Sequence, residues 1–402
     1  MDLDLPPAEQ ALRTEVRAWL RAHVPAEPLP SLETAEGFAA HRAWERELAA
    51  AGLSAVSWPV VYGGRGASPL ARLVFEEEYH AAGAPGRVSQ NGIDLLAPTL
   101  LAHGTAGQLA RVLPPMAAGE VVWAQAWSEP GAGSDLAALR SRAVRTEGGW
   151  LLSGRKAWSS RAAFADRGFG LFRTSAERHR GLTYVMFPLD APGLTRRPVG
   201  RLDGRPAFAE LLLDDVFVPD ADVIGAPGDG WRVAMGTAGD ERGLSLRAPG
   251  RYVAAARRLI ELYDTRAGCA ADSANDPAHA ALGDRVADAW IQARAYQLHG
   301  YAAVSPRAGA AAPSASAASL AKLHWSELDL DLHETALDLL GPAGEPAGPW
   351  LDGYVFALAG PIYAGTNEIQ RGIVAERVLG LPRARPAPQK PTRGHAADGT
   401  PP

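Results

Sequence analysis

The sequence lacks several features that define common classes of protein. Its 402 residues include a single cysteine, Cys269, so an internal disulfide framework is excluded. No apolar run approaches the roughly 18 residues of a membrane-spanning helix, and no basic segment followed by an apolar one marks the N-terminus. The formal net charge of −5 provides no basic face for nucleic acid. We therefore expect a cytoplasmic protein that binds neither nucleic acid nor a membrane.

Familiar motifs of hydrolysis and metal binding are also absent. The sequence has no Gly-x-Ser-x-Gly motif and no phosphate-loop lysine. His333-Glu334 lacks the second histidine of a zinc-binding helix, so we predict no metal site. Other polar residues in the helical segments receive structural interpretations. The predictions are a solvated helix face for residues 76–78 and for Asp329, Asp331 and Asp338, and packing roles for His299 and His324.

The hydrophobic content of 47% is enough for two or three packed units at this length. Apolar residues recur at helical spacing over the first part of the chain, at a spacing of two in the middle, and at helical spacing again afterwards. The pattern predicts a helical domain over residues 1–118, a β domain over residues 119–225 and a bundle of four helices over residues 226–385. Residues 386–402 have the composition of a disordered tail.

Residues 123–160 form the most informative stretch of the sequence. It begins Trp-Ala-Gln-Ala-Trp-Ser-Glu-Pro-Gly-Ala-Gly-Ser-Asp and later reads Gly-Arg-Lys-Ala-Trp-Ser-Ser. Proline and glycine break the first strand into a loop that can expose consecutive backbone N–H groups, which suits a phosphate. The turn signal Gly148-Gly149 predicts a hairpin that returns residues 158–160 to Trp127 and Ser128.

Indoles and hydroxyls beside a glycine loop could hold a flat, polar-edged ring joined to a pyrophosphate, which is the shape of a flavin dinucleotide. The alternative is a loop of an ordinary β domain with the tryptophans in its core, and the loop alone leaves both interpretations open. It is not the Rossmann fingerprint, because the final glycine and the strand-to-helix context are missing.

A second motif, Pro-Ile-Tyr-Ala-Gly-Thr-Asn-Glu-Ile-Gln-Arg, occupies residues 361–371. With both motifs in this order, the chain resembles the acyl-CoA dehydrogenase family over residues 7–382. Residues 58–66, 241–243 and 319–326 resemble a bacterial branch associated with fatty acid, steroid and specialised acyl substrates. The resemblance implies an α+β fold. Its parts would be an N-terminal helical domain, a middle β-barrel-like domain and a C-terminal four-helix bundle, with one FAD between the last two.

The resemblance also implies a reaction, the α,β-dehydrogenation of an acyl-CoA or carrier-protein thioester. A base removes the α-proton while the β-hydrogen leaves as hydride to flavin N5. Electrons would pass to an electron-transfer flavoprotein, and the protein would form a homodimer, a homotetramer or a heterotetramer with a sister subunit. Two alternatives remain, namely a non-catalytic subunit of a heteromeric acyl-CoA dehydrogenase and a family member diverted to flavin-dependent hydroxylation.

The resemblance assigns roles to individual residues near the cofactor and substrate. Cofactor-binding positions are Gln125, Trp127, Ser128, Ser134, Trp158, Ser160, Thr366 and Glu368, and substrate-binding positions are Ser134, Arg242 and Ala364. Within these sets, Ser134 would lie at the pyrophosphate and the backbone N–H of Ala364 would donate to the thioester oxygen.

The catalytic base is where the sequence departs from the best-known pattern. Many relatives have a glutamate just before the Gly-Thr of the second motif, but Ala364 stands there and cannot take a proton. A smaller set of relatives places the glutamate one helix earlier in a Glu-Arg pair, which Glu241-Arg242 matches. Glu241 is therefore the candidate base, with Arg242 as a neighbouring positive group. The alternative for Glu241 is an exposed helix carboxylate paired with an arginine.

A second departure concerns the segments that reach the flavin of a neighbouring subunit in many relatives. The corresponding residues here, 264–268 and 340–344, keep part of a glycine loop but not the arginine stretch. Arg266 is therefore left out of the predicted site.

Overall fold

The computed structural model describes residues 4–242, 248–269, 277–304 and 315–383. The predicted disordered tail, residues 386–402, lies outside the described residues. Among the helices that are described, none combines the length and the apolar character needed to cross a membrane.

The N-terminal part consists of helices whose starts follow from local capping residues. Thr34, Ser68 and Thr105 each accept a hydrogen bond from the backbone N–H three residues later. Thr105 also forms a reciprocal capping box with Gln108. A π-helical turn, Asn91–Leu96, precedes the fourth helix. The helices are α1 (Pro7–His23), α2 (Ala35–Ala50), α3 (Pro69–Ala81), α4 (Ala97–His103) and α5 (Ala106–Ala117).

The prediction of a solvated face at residues 76–78 of α3 is wrong. Glu78 is only 7% exposed and accepts hydrogen bonds from Arg17 of α1 at 2.8 Å. Glu77 pairs with Arg13 at 2.6 Å. Helix α3 contacts both α1 and a later helix of the C-terminal part, Pro249–Cys269. The carboxylates of Glu77 and Glu78 therefore meet arginines instead of water.

The middle domain is an eight-stranded mixed sheet. Its strand order is β6-β7-β3-β2-β4-β5-β8, and β1 adds to β4 in parallel. The predicted hairpin is confirmed, because β2 and β3 pair from Arg142 opposite Ser153 to Thr146 opposite Gly149. The strands are β1 (Trp123–Ala126), β2 (Arg142–Thr146), β3 (Gly149–Ser160), β4 (Arg167–Arg173), β5 (Leu182–Pro188), β6 (Leu194–Val199), β7 (Phe208–Pro219) and β8 (Val223–Ile224).

Two different strands pair with the same edge of β4, one along its first part and the other at its end. Strand β1 pairs with residues 167–170 of β4, whereas β2 pairs with β4 only at Arg173. Within the described sheet, Leu171 and Phe172 therefore have no strand partner on this side. The connection from β1 to β2, residues 127–141, leaves the sheet at this interruption and returns to it.

The C-terminal part begins with two helices, where helical spacing in the sequence predicts one over residues 231–263. Helix α6 is described as far as Arg242, and α7 begins at Pro249, since the missing N–H of proline costs no hydrogen bond at the first position of a helix. A short helix that the sequence analysis did not predict follows α9. The helices are α6 (Gly230–Arg242), α7 (Pro249–Cys269), α8 (Pro277–Val304), α9 (Ala315–Leu340), α10 (Pro349–Ala357) and α11 (Asn367–Ile373).

Helices α7, α8 and α9 share one apolar core that includes Tyr252, Leu259 and Trp325. Helices α6, α10 and α11 pack against α9. Helix α7 also touches α3 at its backbone, since a Cβ atom at Gly250 would lie 2.7 Å from the Cα atom of Glu77. The start of the bundle is thereby fixed against the N-terminal helices.

Two predictions about polar residues of this part are wrong. Asp329 is 1% exposed and pairs with Arg251 of α7 at 2.8 Å, so it joins two helices inside the bundle. His299 is exposed instead of packed. Asp331 and Asp338 are exposed as expected, and the half-buried ring of His324 lies 3.1 Å from the Gln292 carbonyl oxygen.

Candidate active site

The end of β1 carries buried hydrogen-bond donors without acceptors. Nε2 of Gln125 and Nε1 of Trp127 are inaccessible and have no partner in the described part of the chain. The Trp127 ring is held edge-on against Tyr184, with ring centroids 6.2 Å apart. A buried donor without a partner costs about 1–3 kcal/mol. Acceptor atoms of a ligand bound at the end of β1 would supply the missing partners.

The loop after Trp127 presents an open backbone. Glu129 and Ala132 exchange two backbone hydrogen bonds of 3.0 Å, which closes a tight turn at its base. Cβ atoms placed on Gly131 and Gly133 would meet nothing within 4 Å. Neither these glycines nor the exposed Ser134 donates a backbone hydrogen bond within the described residues. Such a row of free N–H groups suits the oxygens of a phosphate.

Strand β3 returns to this loop as predicted. The N–H of Ala157 donates to the carbonyl oxygen of Ser128 at 2.8 Å, which places Trp158 beside the end of β1. Trp158 has a φ of +59° and a side chain that is 61% exposed. Ser160, two residues on, pairs with Phe208 of β7. A non-glycine residue in the left-handed region is strained and marks a functional position.

These features together fit FAD. The partnerless donors of Gln125 and Trp127 would face the acceptor edge of the ring, and the loop amides near Ser134 would face the pyrophosphate. The exposed indole of Trp158 would cover the ring.

A buried ion pair lies behind the loop. Nζ of Lys156 donates to Oε1 of Glu129 at 2.8 Å, to the Leu171 carbonyl at 2.7 Å and to the Trp127 carbonyl at 3.4 Å. Burial lowers the pKa of Lys156 to about 8 against the raising effect of Glu129. Burial alone would raise the pKa of Glu129, but Lys156 and the N–H of Arg140 hold it below its usual value. Both groups are therefore charged near pH 7.

The second motif forms a turn that is held in an unusual conformation. Ala364 has a φ of +56° and Gly365 a φ of +81°. The side-chain amide of Gln370 donates to both of their carbonyl oxygens, at 3.1 and 3.3 Å. The side chain of Thr366 caps α11 by accepting a hydrogen bond from the N–H of Ile369. The pKa of the Glu368 carboxyl is lowered, first by a hydrogen bond from its own backbone N–H and second by one from the Thr366 side chain.

Helix α9 anchors this turn through residues to which the sequence analysis gave no role. Nζ of the fully buried Lys322 donates to Oδ1 of Asn367 at 2.5 Å, and Oγ of Ser326 donates to the same atom at 3.1 Å. The available signal was the spacing of Lys322 and Ser326, which places both on one face of a helix. Their partner at the start of α11 is 45 residues from Lys322 and is not visible in the sequence pattern.

Glu241 and Arg242 are the last two residues of α6, and their side chains lie outside the described residues. Helix α6 packs against β5, α4 and α9, and α11 also packs against α9. The candidate base and the Ala364 turn thus belong to segments with a common neighbour. Thr366 and Glu368 lie in the C-terminal part, and their approach to the cofactor stays a prediction.

Comparison with known families gives a consistent result along the chain. Models of the acyl-CoA dehydrogenase N-terminal, middle and C-terminal domains match residues 6–120, 124–216 and 228–379 in turn. The chain belongs to the acyl-CoA dehydrogenase family. The predicted family and fold class are confirmed, and the family is FAD-dependent.

Individual relatives support the assignment. The chain is 41% identical over 388 residues to acyl-CoA dehydrogenase IpdE1 of Mycobacterium tuberculosis, covering 93% of this chain and 98% of that protein. The ChsE4-ChsE5 complex from Mycobacterium tuberculosis superimposes with a TM-score of 0.80 at 30% identity, covering 96% of this chain and 100% of that chain. The Tcur3481-Tcur3483 steroid ACAD gives 0.81 at 28% identity, with the same coverage. The protein is an acyl-CoA dehydrogenase.

Proposed function

We propose that the protein catalyses the FAD-dependent α,β-dehydrogenation of an acyl-CoA or carrier-protein acyl thioester. The observation that carries the proposal is the pair of buried, partnerless donors on Gln125 and Trp127 beside an open glycine loop. A surface of this kind is incomplete without a ligand that offers acceptor atoms and phosphate oxygens.

When bound, FAD supplies the acceptor for the hydride that leaves the β-carbon. Gln125, Trp127 and Ser128 would orient the ring, and the backbone near Ser134 would bind the pyrophosphate. Trp158 and Ser160 of β3 would cover the ring, and the exposed indole would exclude water from it. Thr366 and Glu368 would add contacts from the start of α11.

In this proposal Glu241 takes the α-proton. Ala364 has no ionisable group, so the carboxylate must come from another segment. Arg242, the next residue in the sequence, is the proposed neighbouring positive group. The N–H of Ala364 donates to the thioester oxygen and stabilises the negative charge that develops as the proton leaves. The left-handed conformation at Ala364 supports such a role.

The substrate and partners are proposed from the relatives. Similarity to a steroid ACAD supports a steroid-derived acyl thioester as the first substrate to test. Similarity to the ChsE4-ChsE5 complex supports a heterotetramer with a sister subunit over a homo-oligomer. An electron-transfer flavoprotein would accept the electrons.

Anaerobic titration with acyl thioesters tests the function. We expect the purified protein, alone or with its sister subunit, to carry FAD whose visible absorbance bleaches when the correct thioester is added. A protein that neither contains nor binds FAD refutes the cofactor assignment.

Ala364 also favours a second candidate, the non-catalytic subunit, because the common base is missing. Two results together would establish that alternative. The FAD bound to this chain would not be reduced by any thioester, and the complex with the sister subunit would keep its activity when this chain carries Glu241→Gln. Product formation that requires oxygen would instead establish hydroxylation.

A further inference from the structure

The ammonium group of Lys156 occupies the interruption in the sheet beside β4. Leu171 has no strand partner on this side, and its carbonyl oxygen accepts from Nζ of Lys156 at 2.7 Å. The ammonium group also lies 4.7 Å from the centre of the Phe172 ring. A lysine side chain thus replaces the backbone donor that a continuous strand would supply. Lysine is almost never fully buried without a partner, and Lys156 has 0% exposure.

The partner of Lys156 ties together both ends of the candidate cofactor loop. The carboxylate of Glu129, at the start of the loop, accepts the N–H of Arg140 at 2.6 Å and the N–H of Ser141 at 2.9 Å. These two residues lead into β2. One carboxylate therefore joins the beginning of the loop to its end, and Lys156 fixes that carboxylate from β3.

Lys156 also contacts the backbone that carries the ring-binding residues. The Trp127 carbonyl oxygen points inward to Nζ at 3.4 Å. In a trans peptide the C=O and the following N–H point in opposite directions, so the N–H of Ser128 points away from Lys156. The Ser128 carbonyl is held by Ala157, the next residue after Lys156. Both peptide groups next to the candidate ring site are oriented by β3.

We propose that Lys156 is a positioning residue for the cofactor, acting through Glu129 and the Trp127 carbonyl. Its ammonium group fixes residues 127–141 in the conformation that exposes the loop amides and sets the position of the Trp127 indole. The inference rests on the proposed FAD site. It goes further by assigning the shape of that site to a residue that the ligand does not touch.

The test combines FAD binding with hydrogen exchange of the cofactor-free protein. Lys156→Met keeps the length and apolar stem of the side chain but removes its charge. We expect the dissociation constant for FAD to rise at least about 10-fold, in line with loss of a charged hydrogen-bond donor. Amides in residues 127–141 of the FAD-free protein should exchange faster, while those of α7–α9 keep their protection.

A matched control lies in the same domain, at the other end of β4. Arg167 pairs with Asp222 at 2.9 Å and lies over the Trp123 ring. Arg167→Met should leave the FAD dissociation constant and the exchange of residues 127–141 unchanged. Equal weakening of FAD binding by both variants would show a general loss of stability and overturn the proposal.

The double variant Lys156→Met/Glu129→Gln separates positioning from the burial of an unpaired charge. The double variant no longer buries the unpaired carboxylate of Glu129, so we expect its folding stability to recover while FAD binding and protection of the loop amides stay impaired. If Lys156→Met does not fold, the same measurements are made on the double variant. Unchanged exchange in residues 127–141 of either variant would refute the role of Lys156. Wild-type protein that does not bind FAD would refute the proposed function, and the exchange experiment would still decide whether Lys156 orders the loop.

Discussion

The two sides of the candidate active site are built in different ways. On the proposed cofactor side, all groups but Thr366 and Glu368 come from one stretch, β1 to β3, which is fixed by hydrogen bonds within the middle domain. On the proposed substrate side, Glu241 and Ala364 come from distant segments that share α9 as a neighbour. In this proposal, cofactor binding depends mainly on local structure and proton removal on tertiary packing. Mutations should be able to separate the two functions.

Removal of the proposed base should give the largest effect of these variants, and the effect should be confined to the chemical step on the substrate side. Glu241→Gln preserves shape and hydrogen bonding, so FAD and thioester should still bind. Flavin reduction should slow by about 100-fold or more, the usual range for a general base. Stopped-flow absorbance under anaerobic conditions measures it. Near-normal reduction would remove Glu241 from the mechanism.

Ala364→Glu in the Glu241→Gln background is the companion variant. It restores a carboxylate at the position that many relatives use. Partial recovery of flavin reduction would show that both positions reach the same α-carbon, whereas no recovery would indicate that the Ala364 turn lies too far from it.

A change on the cofactor side should weaken FAD binding instead of slowing proton removal. Trp127→Phe keeps an aromatic ring against Tyr184 but removes the partnerless Nε1–H. Loss of one hydrogen bond to the flavin, worth about 1 kcal/mol, should weaken FAD binding about 5-fold. The thermal midpoint of the FAD-free protein should fall only by the packing lost with the smaller ring, because Nε1 bonds to no described residue. A lower midpoint with unchanged FAD affinity would contradict the assignment.

The strain at the Ala364 turn predicts a smaller effect, of about 1 kcal/mol. Ala364→Gly relieves a positive φ, so it should leave the free energy of unfolding unchanged or raise it. Ala295, exposed in the interior of α8, is the control. Ala295→Gly should lower the free energy of unfolding by about 1 kcal/mol. Denaturant titration distinguishes them, and equal losses would show that the turn is unstrained.

The pH dependence of stability is the prediction with the smallest expected effect, and it concerns the cofactor side. The folded-state pKa of Glu129 lies below its unfolded value, so Glu129 stabilises the fold above the unfolded pKa. That contribution is lost as the pH falls through the folded pKa. The difference in thermal midpoint between wild type and Glu129→Gln should therefore shrink as the pH falls through the acid range. A difference that grows in acid would reverse the sign assigned to Glu129.

Much of the fold could be predicted because its signals are local. The hairpin at Gly148-Gly149 and the start of α5 after Thr105 follow from turn and cap residues. What the sequence does not reveal depends on the neighbour across the fold. In the sequence pattern Glu78 resembles a surface residue, but in the folded structure it is paired with Arg17 of α1. Lys156 and Glu129 are 27 residues apart and meet only because β3 returns beside β1.

The partnerless donors at the end of β1 have a consequence for the thermodynamics of the whole chain. Because Nε2 of Gln125 and Nε1 of Trp127 are desolvated and bond to no described residue, their burial costs free energy that hydrogen bonds to a ligand would offset. A ligand that binds only the native state stabilises it by RT ln(1 + [L]/Kd), or about 2.7 kcal/mol at 100 times Kd. Cellular supply of the cofactor would then set how much of the chain escapes unfolding and proteolysis, and riboflavin limitation would lower its abundance.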